Sequence, residues 1–228
     1  MLDGITQGRI LVDEPADPRF ALVQDLSEGT TYLGGASSAP ALREAFGLVR
    51  RYQEAAVCLW PGDPLASLLP EGRTYEGVAI DFSDRSPAVD LDRLAALPLG
   101  YRVQRFDAET VQAMQGLDYY LAMFGSVERT LQNTIGYCLM QGKTMVCEAV
   151  AGPLTRGVAE MGIDTAEGHR RRGLATAACA HVIRECELLG YRAFWNAAKQ
   201  NVASVALARR LGFRTERPNA VLAWPATQ

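Results

Sequence analysis

The sequence predicts an α/β (α+β) protein in which helices flank a mixed, mostly antiparallel sheet. Three observations carry this. Three strand-like segments adjoin one another between Gly136 and Thr165, a helical apolar stripe starts at Leu174, and strand and helix patterns then alternate as far as Trp224.

In chain order, residues 20–24 and 30–34 read as short strands about a Ser-Glu-Gly turn. Gly34 to Pro40 is a turn of small residues ahead of a helical pattern at Leu42, Ala45, Phe46 and Val49. A Gly-Gly turn before a helix can hold a phosphate, but a plain turn and cap is the default reading. Ala55–Trp60 is a compact apolar strand stopped by Pro61-Gly62, and Tyr75–Phe82 is another strand. Asp81 to Pro98 is rich in Ser, Asp and Pro, which places a boundary near residue 100. Residues 1–100 then form an N-terminal α/β lobe of unassigned role, and 101–228 a second domain.

Beyond the boundary, Tyr101–Phe106 reads as a strand, and Ala108–Leu117 and Ser126–Asn133 as helices, the latter capped by Ser126. Gly136–Met140 and Thr144–Ala151 form a hairpin about Gln141-Gly142-Lys143, and Gly152-Pro153 breaks the chain before a third strand, Val158–Thr165. Strands adjoining in sequence usually pair, so these make an antiparallel meander. A helix over Gly173–Leu189, a strand over Tyr191–Ala197 and a helix over Asn201–Leu211 follow.

Net charge is −3, which argues against a nucleic-acid or anionic-membrane partner. The segment from His169 to Arg217 nevertheless holds ten Lys and Arg against three acids, an asymmetry that suits a small polyanionic ligand. The five cysteines are odd in number, widely spaced and set among apolar neighbours, as expected of buried free thiols in a reducing, cytoplasmic setting. With only His169 and His181 and no metal-ligand spacing, no metal is expected. No leader-like segment and no run of about 18 apolar residues is read, so neither export nor a membrane span is expected.

The chemistry concentrates in Glu167-Gly-His-Arg-Arg-Arg-Gly-Leu-Ala-Thr176, between a strand end and a helix start. Leu174, Ala178, Val182, Cys186 and Leu189 share one helical stripe, so an amphipathic helix begins near Gly173. Its first turn leaves backbone N–H groups unpaired, with partial positive charge, and Gly173 and Ala175 let a ligand approach. Such a start is a cradle for a pyrophosphate, and Arg170, Arg171 and Arg172 can pair with phosphate oxygens.

Arg170-x-x-Gly173-x-Ala175, followed by Asn201-x-x-Ser204 and Leu211-Gly212-Phe213, resembles the GNAT N-acetyltransferase superfamily over residues 157–213. With Glu160-Met-Gly-Ile-Asp-Thr165 and Trp195, the string is most similar to the zwittermicin-A-resistance type. The resemblance implies a GNAT-like sheet whose strand ending at Thr165 splays from the strand at Trp195, so that acetyl-CoA, as co-substrate, enters the gap. Backbone groups of Ile163, Asp164 and Thr165 would then pair with pantetheine, and those of Arg171, Arg172, Gly173, Leu174, Ala175 and Thr176 with the pyrophosphate. Asn201 would contact the cofactor or order the opening.

The implied reaction is direct attack of a neutral amine, on a small-molecule acceptor, upon the thioester. Glu160 stands where many relatives carry a general base, and Asp164 shares its strand face. A purely structural carboxylate at Glu160 remains an equal reading. Where many relatives carry a tyrosine acid, this chain has Ala208, so Ser204 or a water would have to serve, or the thiolate leaves unassisted. That departure keeps open a catalytically silent CoA- or ligand-binding module, and a protein N-acetyltransferase is a third reading. Tyr119, Tyr120 and Phe124 could line an acceptor pocket or pack in the core.

Overall fold

The computed structural model describes residues 4–25, 27, 30–35, 40, 43, 44, 47, 55–59, 67, 73–82, 84–214 and 216–224. The helical pattern expected at Leu42, Ala45, Phe46 and Val49 lies outside these residues, as does the Pro61-Gly62 stop. Five strands open the chain: β1 (Gly8–Val12), β2 (Phe20–Asp25), β3 (Thr30–Gly35), β4 (Ala55–Leu59) and β5 (Arg73–Phe82). Next come α1 (Leu91–Leu94), β6 (Arg102–Arg105), α2 (Ala108–Gln112), α3 (Leu117–Phe124) and α4 (Val127–Asn133). The meander is β7 (Ile135–Gln141), β8 (Thr144–Ala151) and β9 (Val158–Thr165). It is followed by α5 (Leu174–Leu188), β10 (Arg192–Ala198), α6 (Val202–Arg210) and β11 (Glu216–Trp224).

Two compact units result, Met1–Ala79 with Pro218–Gln228, and Ile80–Arg217. The first orders its strands β1-β2-β3-β4-β11, antiparallel except for the parallel β3–β4 pair. Phe20 and Leu22 alternate inward along β2. The strand β1 escaped prediction because its side chains are mostly exposed and show no apolar alternation.

The second unit begins at Ile80, so the boundary read near residue 100 falls inside it. Apolar packing is the reason: Phe82, Leu91 and Ala95, in or beside the polar stretch, are buried in this unit's core. Its strands run β10-β9-β8-β7-β6, antiparallel except for the parallel β9–β10 pair. One face takes α5, whose Ala177, Ala178, Cys179 and Ala180 are small enough to bring the helix close to the strands. The other face takes a second cluster, with Phe106, Val111, Met114, Cys138, Met140 and Val150, and Leu117 and Tyr120 packed against it.

The helix expected over Ala108–Leu117 is in fact two pieces. Asp107 and Thr110 form a capping box that starts α2, which stops at Gln112, and α3 restarts at Leu117 behind Gly116. This break is what turns the residues between them toward β8. Ser126 caps α4 by accepting from the Arg129 amide at 3.1 Å, as its sequence position suggests.

Candidate active site

Two pieces of geometry meet along β9. In the first, β9 and β10 pair in register only through Val158–Arg192, Ala159–Ala193 and Glu160–Phe194. Past that point β9 continues to Thr165 and β10 to Ala198, so the sheet opens between Met161 and Trp195. Trp195, 1 % exposed, holds the far edge of the opening: its Nε1 donates to Ser204 Oγ at 3.0 Å, and its ring lies 5.8 Å from that of Phe213. The Asn201 side chain accepts from the Ser204 amide at 3.1 Å, which starts α6 at that edge.

The loop from Ala166 to Gly173 leads from β9 into α5. A short 3₁₀ turn, Glu167–His169, comes first. Arg171 and Gly173 then take left-handed backbone conformations, with φ of 63° and 81°. An added Cβ at Gly173 would meet no atom within 4 Å, so the space in front of the helix is open. The first intrahelical bond is Ala177 N to Gly173 O, and no side chain caps the end, so the amides of Leu174, Ala175 and Thr176 precede the helical ladder. With no acidic residue in that first turn, nothing offsets the positive end of the dipole.

Side chains brace this loop. Arg170 Nε donates to Thr165 O at 3.0 Å, and Arg172 Nη1 donates to Tyr101 Oη at 3.1 Å. Tyr101 Oη also lies 3.2 Å from His169 Nδ1, with the two rings edge to face. His169 is thus a loop brace.

The second piece is a cavity of about 360 Å³, a volume in the range of small-molecule sites. Its wall includes Gly116 and Tyr120 from the α3 side, Glu148 and Val150 of β8, and Gly162 and Asp164 of β9. A smaller neighbouring cavity shares Gln115, Glu148 and Asp164 and reaches Cys147. A side chain at Gly162 would begin to fill the larger one, since its Cβ would lie 3.2 Å from Tyr120 Oη.

Of the two strand carboxylates singled out from sequence, Asp164 lies on this wall. Glu160 does not; it is exposed near the other end of β9, where its carbonyl accepts from Gly152 N at 2.9 Å. Asp164 Oδ1 also accepts from the Thr165 amide at 2.6 Å. Glu148 was missed. It is 7 % exposed, directly opposite Asp164 in the β8–β9 register, and accepts from the Gln115 amide at 3.1 Å and the Gly116 amide at 3.4 Å. Burial pushes its carboxyl above the ordinary value; the two amides pull the other way, and Asp164 adds to the rise. The sequence signal was a single acid inside the otherwise apolar run Met145–Ala151.

Cys147, buried beside Thr165, is held as a thiol: desolvation pushes it up to about 11. Ala208 is fully buried, so the position that carries a tyrosine in many relatives is here part of the core. Ser204 is tied to Trp195. His181 is half-buried and stacks on Tyr137. Among the described residues, no helix is long and apolar enough to cross a membrane, and no group of His, Cys, Asp and Glu could hold a metal ion.

A family model described as GNAT acetyltransferase matches residues 1–222. An uncharacterized N-acetyltransferase of Bacillus subtilis, YdfB, is 31 % identical over 121 residues, which is 52 % of this chain and 46 % of that protein. The aligned part thus spans about half of that relative's length. Among solved structures, a GCN5-related N-acetyltransferase-like protein from Streptococcus suis superposes with a TM-score of 0.71 at 22 % identity, covering 97 % of this chain and 90 % of that one. A GCN5-related N-acetyltransferase from Kribbella flavida gives 0.64 at 15 % identity, covering 97 % and 91 %. At these identities the structural likeness speaks to the fold.

Proposed function

The chain belongs to the GNAT acetyltransferase family, and from that premise we propose that it moves an acetyl group from acetyl-CoA to the amine of a small molecule. The observation that carries this is the opening of the sheet at Met161 and Trp195, one loop away from the bare, positively ended start of α5. These residues fit the co-substrate. Amides of Leu174, Ala175 and Thr176, with Arg171 and Gly173 turned left-handed before them, suit a pyrophosphate, and the gap beside Ile163, Asp164 and Thr165 suits a pantetheine arm. The bound thioester supplies an activated acyl carbon. Backbone N–H groups of this stretch of β9 are the donors available to its oxygen as negative charge grows there. The resemblance of the Glu160–Thr165 string to the zwittermicin-A-resistance type belongs to the same reading and points to a small-molecule acceptor.

Calorimetry with acetyl-CoA, followed by free-thiol release on adding amines, tests the proposal. Absence of acetyl-CoA binding by the folded protein would sink it. Binding should also weaken clearly as salt rises from about 0.01 to 1 M, because the screening length shrinks from roughly 30 to 3 Å. An affinity indifferent to salt would mean that the arginines of the 170–172 loop do not meet the ligand.

A further inference from the structure

Resting on the reading above, the geometry points to Glu148 as the proton acceptor for the incoming amine, and to an acceptor that is a cationic amine carrying no carboxylate. The first support is position. Glu148 lies on the cavity wall facing Asp164 across the β8–β9 pair, and directly opposed residues in an antiparallel pair have Cβ atoms roughly 4.5–5.5 Å apart. Asp164 belongs to the stretch of β9 that has parted from β10, so Glu148 is one strand away from the opening.

The second support is how Glu148 is held. Its two oxygens each take one backbone amide, from Gln115 and Gly116, which fixes the carboxylate and still leaves each oxygen a lone pair. A buried acid that merely capped α3 would need no cavity in front of it. This one has a cavity of about 360 Å³. Desolvation also makes it a stronger base than an exposed carboxylate, in the direction that suits proton removal from an ammonium.

The third support is the sign of the wall. Glu148 and Asp164 are its charged groups, and neither cavity is lined by Lys, Arg or His among the described residues. The other titratable groups facing Glu148 are Tyr120 from α3, Cys138 from β7 and the neighbouring Cys147, none of which offers a positive charge. An acceptor carboxylate brought here would meet like charge at low dielectric, whereas an ammonium would be drawn in.

The acceptor enters as R–NH₃⁺ and gives one proton to the Glu148 carboxylate. The nitrogen lone pair then attacks the thioester carbon; the C–N bond forms as the C–S bond breaks. The sulfur leaves with the electron pair and takes the nitrogen's surplus proton, and Glu148 returns its own proton to solvent. Products are the amide, free CoA thiol and one proton.

The test uses the full chain, acetyl-CoA, and the matched probes putrescine and ornithine, which differ by one carboxylate. Wild type should release thiol with putrescine at a kcat/KM more than tenfold above that with ornithine. Glu148→Gln should bind acetyl-CoA with unchanged affinity, lose roughly 10²–10⁴-fold in kcat, and lose the acidic limb of its pH–rate profile. Glu148→Asp should recover part of the rate, and Asp164→Asn should narrow the putrescine preference. Because Glu148 also holds the start of α3, melting is recorded for each variant, and rates are taken below the transition. A folded Glu148→Gln with wild-type kcat and pH profile overturns the proton-acceptor role. Ornithine used as well as putrescine, or neither probe used, overturns the acceptor class. Both outcomes leave the family reaction standing as long as acetyl-CoA binds; loss of that binding in wild type is the separate failure of the function proposed above.

Discussion

Gly173→Asp is expected to cut acetyl-CoA affinity by well over tenfold, more than about 1.4 kcal/mol, while the chain stays folded. The residue stands at φ 81° where the loop turns into α5, with open space in front of it. Two costs fall on the aspartate variant. A side chain with a Cβ is strained in the left-handed region, less for aspartate and asparagine than the about 1–2 kcal/mol of an ordinary residue. A carboxylate there would also occupy the amide end of α5, satisfy the donors proposed for phosphate, and repel phosphate oxygens. Gly173→Asn separates the two, because asparagine shares the shape and backbone preference of aspartate and carries no charge. Calorimetry should therefore rank wild type above Asn and Asn above Asp. Equal affinity for all three folded proteins would mean that the ligand's phosphates lie elsewhere.

Trp195→Ala should give the largest loss of stability, about 3–5 kcal/mol on the scale of buried aromatic truncations. The indole is 1 % exposed, packs on Phe213, and ties β10 to α6 through Ser204. Truncation would leave a void at the far edge of the sheet opening and orphan the Ser204 hydroxyl. The melting transition should drop by roughly 6–20 °C, at about 2–4 °C per kcal/mol for a chain of this size. Ser204→Ala is the graded partner: it removes only the hydroxyl and leaves the buried Nε1 without its acceptor, which costs about 1–3 kcal/mol. A Trp195→Ala protein that melts with wild type would show that the opening is held by α6 and the turn at Asn201 instead.

Most of the elements around these two positions were legible as local pattern. The hairpin about Gly142, the third strand Val158–Thr165, the stripe of Leu174, Ala178, Val182 and Cys186, and the cap at Ser126 all depend on neighbours within a few residues. The loop before α5 was legible for the same reason: a basic run, a glycine and an apolar stripe in fixed order determine a bare helix start wherever the chain goes. What sequence could not supply was anything set by contacts between distant segments. The polar stretch after β5 looked like a linker because its composition is that of one. Yet Phe82, Leu91 and Ala95 contribute enough apolar surface to join the second unit's core.

The acidic wall is the clearest case. Alternation put Glu160, Gly162 and Asp164 on one face of β9, and from sequence alone either carboxylate could be the chemical one. Which of them meets a cavity depends on where the start of α3 and its Tyr120 lie against β8 and β9, and α3 begins only because the chain breaks at Gly116, a break the helical pattern of Ala108–Leu117 did not betray. That placement puts Gly162 and Asp164 on the cavity wall, whereas Glu160 is exposed and not part of it. It also buries Glu148, an acid that one-dimensional reading absorbs into an apolar strand, and gives it two backbone donors from 32 and 33 residues away. The sequence by itself determined the bare, positively ended helix start, since hydrogen bonding and dipole there are local. Only the tertiary structure decided which carboxylates share the cavity, because burial and cross-strand register are properties of segments that meet after folding.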